Sequence, residues 1–131
     1  MSDYFQVATA TETRAEAVDL AQSAVAARLA GNAQVTGPVV SVFWHLGEQG
    51  TGEEWRLLLF TTADRYADLE AHLLKRHPWS NPQIIATPIV AGSRECLEWL
   101  RQSVDAAGST PLPMTRSGRV AGGASQVSVD R

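Results

Sequence analysis

A single cysteine, Cys96, stands in the 131 residues. One thiol cannot close an internal disulfide, so the fold must rest on its core, and no oxidising compartment is implied. Charge is also scarce: 19% of residues are Asp, Glu, Lys or Arg, and the formal net charge is −3. That balance offers no basic surface to a nucleic-acid backbone or an anionic membrane. No apolar run approaches the roughly 18 residues that a membrane span needs. The opening MSDYFQVATA has no basic region followed by an apolar stretch; no signal peptide is expected, and a cytoplasmic location is. Catalytic patterns are missing too. Glu53 and Glu54 are neighbours on a predicted strand, so their side chains diverge and form no acid–base pair. Ala91 to Ser93 precede a helix without the lysine or spacing of a phosphate loop. No Ser-His-Asp or Cys-His arrangement is suggested, and the expectation is a protein that is not an enzyme.

Hydrophobic residues make up 44% of the chain, enough for one modest core in one domain. Phe5 and Val7 share a face of a short strand over Tyr4 to Ala10. Thr13 and Glu16 stand in capping-box spacing and open a helix running to Leu29, with Gly31 and Asn32 at its end. A strand over Ala33 to Leu46, bent or bulged at Gly37 and Pro38, leads through a polar loop over Gly47 to Gly52 into a strand over Glu54 to Thr61. Thr62 is the expected cap of a helix over Asp64 to Arg76, which Pro78 stops. Gln83 to Val90 reads as a strand, at an edge or a bulge because of Pro88. Ser93 caps a last helix bearing Leu97, Leu100 and Val104. From Gly108 on, the chain is rich in Gly, Pro, Ser and Thr. Such a segment cannot bury enough surface to offset its ordering entropy. The expected organisation is therefore a folded domain over 1–107 and a flexible tail over 108–131.

The order β-α-β-β-α-β with a further helix predicts an α+β fold, a ferredoxin-like βαββαβ sandwich with an extra C-terminal helix. Helices cover one face of such a sheet, and the other should be polar in a monomer. Here Val40, Val42 and Trp44 oppose Val39 and Phe43, while Trp55, Leu57 and Leu59 oppose Leu58 and Phe60. With both faces apolar and no spare element to cover the second, a homo-oligomer is expected.

Several short motifs carry a family resemblance. They are HPW at His77 to Trp79, P-x-I-I at Pro82 to Ile85, P-I at Pro88 and Ile89, and E-W-L at Glu98 to Leu100. SVFWHLGE, Ser41 to Glu48, is similar to an S-x-Y-x-W-x-G stretch, and RLA at Arg28 to Ala30 to a K-L-A helix end. Over about residues 4 to 104 the chain resembles the CutA divalent cation tolerance proteins. The resemblance implies a homotrimer, similar in plan to trimeric PII signalling proteins. It also implies response to or binding of divalent metal ions such as copper, with a non-enzymatic ligand-binding or scaffold role at clefts between subunits. The alternative is a PII-like sensor that binds a nucleotide or another small anion and regulates a partner protein.

The chain departs from the family's pattern at polar positions. Gly31 and Asn32 stand where the family has A-C, so the soft thiolate that would favour copper is lost. Gln83 replaces an acid, and Leu46 and Phe60 replace lysines. The residues left for a ligand cleft are His77, Trp79, Gln83 and Trp44, with His77 the one candidate metal ligand. A single imidazole does not hold a metal tightly, since sites use three or four ligands. The competing reading of His77 is a helix-terminal residue that favours the dipole and fixes the turn. His45 beside Glu48 reads as an exposed strand residue, His72 as a solvated helical position, and Cys96 as a small, partly buried hydrophobe. Trp44, Trp55 and Trp79 suit packing in an interface or cleft.

Overall fold

The structure, a computed structural model, describes residues 2–105. The elements run β1 (Tyr4–Thr11), α1 (Arg14–Ala26), β2 (Asn32–His45), β3 (Glu48–Thr62), α2 (Tyr66–Arg76), β4 (Ile85–Pro88) and α3 (Arg94–Ser103). They form a mixed fold on one antiparallel sheet in the order β2-β3-β1-β4. The expected tail over 108–131 and the boundary at 107 lie outside the described residues.

Local signals set most of the element starts. Thr13 Oγ1 accepts the Glu16 N–H at 3.2 Å and the Glu16 carboxylate accepts the Thr13 N–H at 3.3 Å, closing the capping box of α1. Ser93 Oγ accepts the Cys96 N–H at 3.4 Å and caps α3. Three local expectations are corrected. Thr62 makes no capping bond; a 3-10 turn over Ala63–Arg65 precedes α2, and the buried Thr62 hydroxyl has no partner among the described residues. Helix α1 ends before Gly31: Arg28 takes the left-handed conformation (φ 59), with Leu29 N–H bonded to Ala24 O and Arg28 N–H to Val25 O. These two bonds are those of a Schellman cap, usually built on glycine. The Arg28 guanidinium reaches Ser103 O at 3.2 Å, tying this cap to the end of α3.

The third correction is the hairpin. Glu48 to Gly52 belong to β3, and the turn is only Leu46–Gly47, both at positive φ (53 and 82). A two-residue turn of this hand matches the right-handed twist of its strands, and glycine adopts it without a Cβ penalty.

Helices α1 and α2 cover one sheet face. Val7, Leu57 and Leu59 from the sheet meet Leu20, Ala24, Leu69 and Leu73 from the helices, all buried in one cluster. On the opposite face, Ala8, Ala10, Leu58 and Phe60 are not covered by α1 or α2. Helix α3 reaches this side, contrary to the expectation that the chain has no element to spare. Arg101 stacks over the Tyr4 ring at 5.2 Å and Leu100 packs at Gly31. It shields the Tyr4 end, while Ala8, Leu58 and Phe60 stay half-buried.

The sheet also has an arm. Strand β1 stops opposite Trp55 (Thr11↔Trp55), while β2 and β3 continue as a pair from Val39↔Glu54 to His45↔Glu48. These residues form a two-stranded ribbon roughly 20 Å long at ~3.3 Å per residue.

Helix α2 is joined to α1 by a polar contact that departs from the solvated reading of His72. His72 is half-buried, with Nε2 2.9 Å from Ser23 Oγ. Burial pushes its pKa below the ordinary 6.5, and the nearby Arg76 and Lys75 charges push the same way. The unfolded chain therefore takes up a proton on this ring more readily than the folded one. Its contribution to stability is present above the ordinary pKa and is lost as the pH falls below it. His72→Gln should flatten the fall in melting temperature between about pH 7.5 and 5.5. Parallel pH–Tm curves for the two proteins would contradict this.

Candidate functional site

The turn after α2 fixes His77. The His77 N–H closes the helix onto Leu73 O at 2.8 Å, and the ring turns back under the sheet. Its Nδ1 accepts the Trp79 backbone N–H at 3.1 Å, so that nitrogen carries the lone pair. The proton is then on Nε2, which donates to Ala10 O at 2.8 Å. The ring is buried, and the Trp79 indole lies beside it at 5.1 Å between centroids. Both nitrogens are thus committed to the backbone. A metal could bind this imidazole only by breaking one of the two bonds. As folded, His77 locks the start of the HPW turn to the end of β1.

Directly across β1 from that lock lies a cavity of about 270 Å³. Its floor is Ala8 to Ala10, whose small side chains leave room above the sheet. One wall is Val39 to Ser41, another is Glu54 and Arg56, and Gln83 closes it from the loop before β4. A bulge shapes the β2 wall. Thr36 pairs with Arg56 and Val39 with Glu54, so Gly37 and Pro38 together oppose Trp55 alone. Bulges re-aim neighbouring side chains and recur beside functional sites. Alternation along β3 puts Glu54 and Arg56 on the face away from α1 and α2, in register with Val39 and Ala10. Among the described residues neither charge has an ion-pair partner, and they do not pair with each other. The Gln83 side chain is likewise without a hydrogen bond.

The four residues nominated for a cleft thus separate. Gln83 lines the cavity, and His77 supports it through Ala10. Trp79 packs against His77, half-buried. Trp44 is elsewhere, 78% exposed on the arm. Sequence patterns did not mark Glu54 and Arg56 as a pair. The available signal was their period-2 spacing on an otherwise apolar strand, next to a Gly-Pro pair in the facing strand. No group of three or more His, Cys, Asp or Glu side chains placed to hold a metal exists among the described residues. His45 is exposed at the arm's tip. Cys96 is exposed rather than partly buried. No helix among the described residues is long and apolar enough to cross a membrane.

Comparison with known proteins places this geometry. The family model for the CutA1 divalent ion tolerance protein matches residues 5–103. The divalent-cation tolerance protein CutA of Thermus thermophilus is 33% identical over 84 residues, which are 64% of this chain and 82% of that protein. The chloroplastic CutA 1 protein of Oryza sativa subsp. japonica is 32% identical over 84 residues, 64% of this chain and only 48% of that longer protein. Among solved structures, the Cut A1 protein of Thermus thermophilus superposes with a TM-score of 0.75 at 30% identity, covering 76% of this chain and 97% of that one. CutA from Xylella fastidiosa superposes with a TM-score of 0.77 at 26% identity, covering 79% and 100%.

Proposed function

The chain belongs to the CutA1 divalent ion tolerance family, and from that premise we propose that it is a non-enzymatic homotrimer that holds a small ligand or a divalent ion at clefts between its copies. The split βαβ order and the strand order β2-β3-β1-β4 support the ferredoxin-like reading of each copy.

One observation carries the assembly. Beyond Trp55 the β2–β3 arm has no further strand beside it among the described residues, and it displays Val40 and Val42 with Trp44 and Leu46. A lone two-stranded ribbon is at best marginally stable in water. Contiguous exposed apolar surface of this kind marks an interaction site. Other copies of the chain supply the missing cover, since each offers the same arm and the same half-open sheet face. The cavity at Arg56 and Gln83 lies at the root of the arm, where such a cover would close it into a cleft.

Sedimentation at micromolar concentration tests this. The expected result is a mass of three chains, falling to one chain in Trp44→Glu, because a charge at a desolvated contact without a partner disfavours association strongly. A wild-type monomer would overturn the proposal.

A further inference from the structure

We propose that the cavity beside the β2 bulge binds a small aliphatic α-amino acid. This inference rests on the ligand-cleft part of the function proposed above and gives it a chemical class.

The charges set the class. Arg56 and Glu54 face the same space from alternate positions of one strand, and neither is neutralised by the described protein. Two opposite charges facing one cavity, neither paired within the described residues, suit a ligand that carries both signs. A guanidinium presents a planar fork that matches a carboxylate bidentately, and Glu54 then receives an ammonium group. Inorganic phosphate or a metal cation would satisfy one of these groups and be repelled by the other. Gln83, neutral and unbonded, supplies a donor and an acceptor without changing this balance.

The walls set the size. Ala8, Ala10 and Val39 offer an apolar surface for an aliphatic side chain. The volume, about 270 Å³, lies just below the range of roughly 300–1,000 Å³ usual for drug-sized ligands, so the occupant is small. The floor is held in place from behind, because the His77 ring bonds Ala10 O. A preformed site of this kind loses little entropy on binding.

The probe is L-valine, titrated into the full chain by calorimetry and by backbone amide NMR. Saturable binding is expected, with shifts at Ala10, Val39 and Arg56. Isovalerate lacks the ammonium and isobutylamine lacks the carboxylate; each should bind at least about tenfold more weakly, as should L-valine to Arg56→Met and to Glu54→Gln. No saturable response on the order of 10 mM L-valine overturns the proposal, and so does equal affinity for isovalerate. Sedimentation of the same samples separates this from the assembly reading. If Arg56→Met dissociates the oligomer, Arg56 pairs with another copy and the amino-acid site is refuted, while the assembly stands. If the protein is a monomer that binds L-valine through Arg56, the assembly fails and the site stands. Far-UV circular dichroism of both variants shows that they are folded, and Arg56→Lys should recover part of the affinity by restoring the charge without the fork.

Discussion

Leu59→Ala should destabilise the protein by about 2–5 kcal/mol. Leu59 is fully buried near the C-terminal end of β3, between Val7 of β1 and Ala33 of β2. It belongs to the cluster that also holds Leu20, Leu69 and Leu73. Truncation removes the transfer energy of the lost carbons and leaves a cavity, and a central strand held by ladders on both sides cannot collapse to fill it. Domains of this size are stable by only about 5–15 kcal/mol, so the loss is a large part of the whole. Thermal or urea unfolding at one fixed protein concentration measures it, since an oligomer's melting temperature depends on concentration. A loss below about 1 kcal/mol would show that the α1–α2 layer does not pack on Leu59 as described. The exposed Val90 beyond β4, which is not on the arm, is the control, because Val90→Ala removes almost no buried surface from the folded chain.

Gly37→Ala should cost about 1–3 kcal/mol and distort the cavity as well. A Cβ at position 37 would lie 2.7 Å from Trp55 Cε3, 2.8 Å from Cδ2 and 3.1 Å from Glu54 O. These are ring and backbone atoms, and neither can swing aside as the tip of a flexible side chain can. Relief would require the bulge to lift off β3. The wall at Val39 to Ser41 would then shift relative to Glu54 and Arg56, because the register across the bulge sets their spacing. The expected result is a lower melting temperature together with weakened L-valine binding, although no cavity side chain is changed. Unchanged stability in Gly37→Ala would contradict the close stacking of Trp55 on this strand.

Much of the chain was legible without coordinates because its signals are local. The capping box needs only Thr13 and Glu16, one helical turn apart, and it formed as its spacing requires. Pro88 stands at the end of β4, an edge strand, where a missing N–H costs no ladder bond. The alternation of β3 identified Leu57 and Leu59 as one face, and that face is the core. Where local chemistry allows two answers, the sequence was a poor guide. Gly47 to Gly52 has a loop's composition, yet Gly50 faces the Phe43 ring in a regular ladder. Glycine was expected to close α1, but Arg28 takes the left-handed position, and its side chain gains a bond to Ser103 O.

The sequence by itself determined the element order, the apolar pattern on both sheet faces and the family, since each follows from periodicity or from short motifs. Tertiary structure alone decided what His77 does. Its two partners, Ala10 O and the Trp79 N–H, are backbone groups that any sequence would provide. Only the folded geometry shows that both reach one ring and leave it no free nitrogen. The same holds for the cavity. Glu54 and Arg56 are ordinary charges on a strand until the bulge at Gly37 and Pro38, the small floor of Ala8 and Ala10 and the loop at Gln83 bring their surfaces together. Convergence of residues far apart in the chain is a property of packing, and no local pattern encodes it.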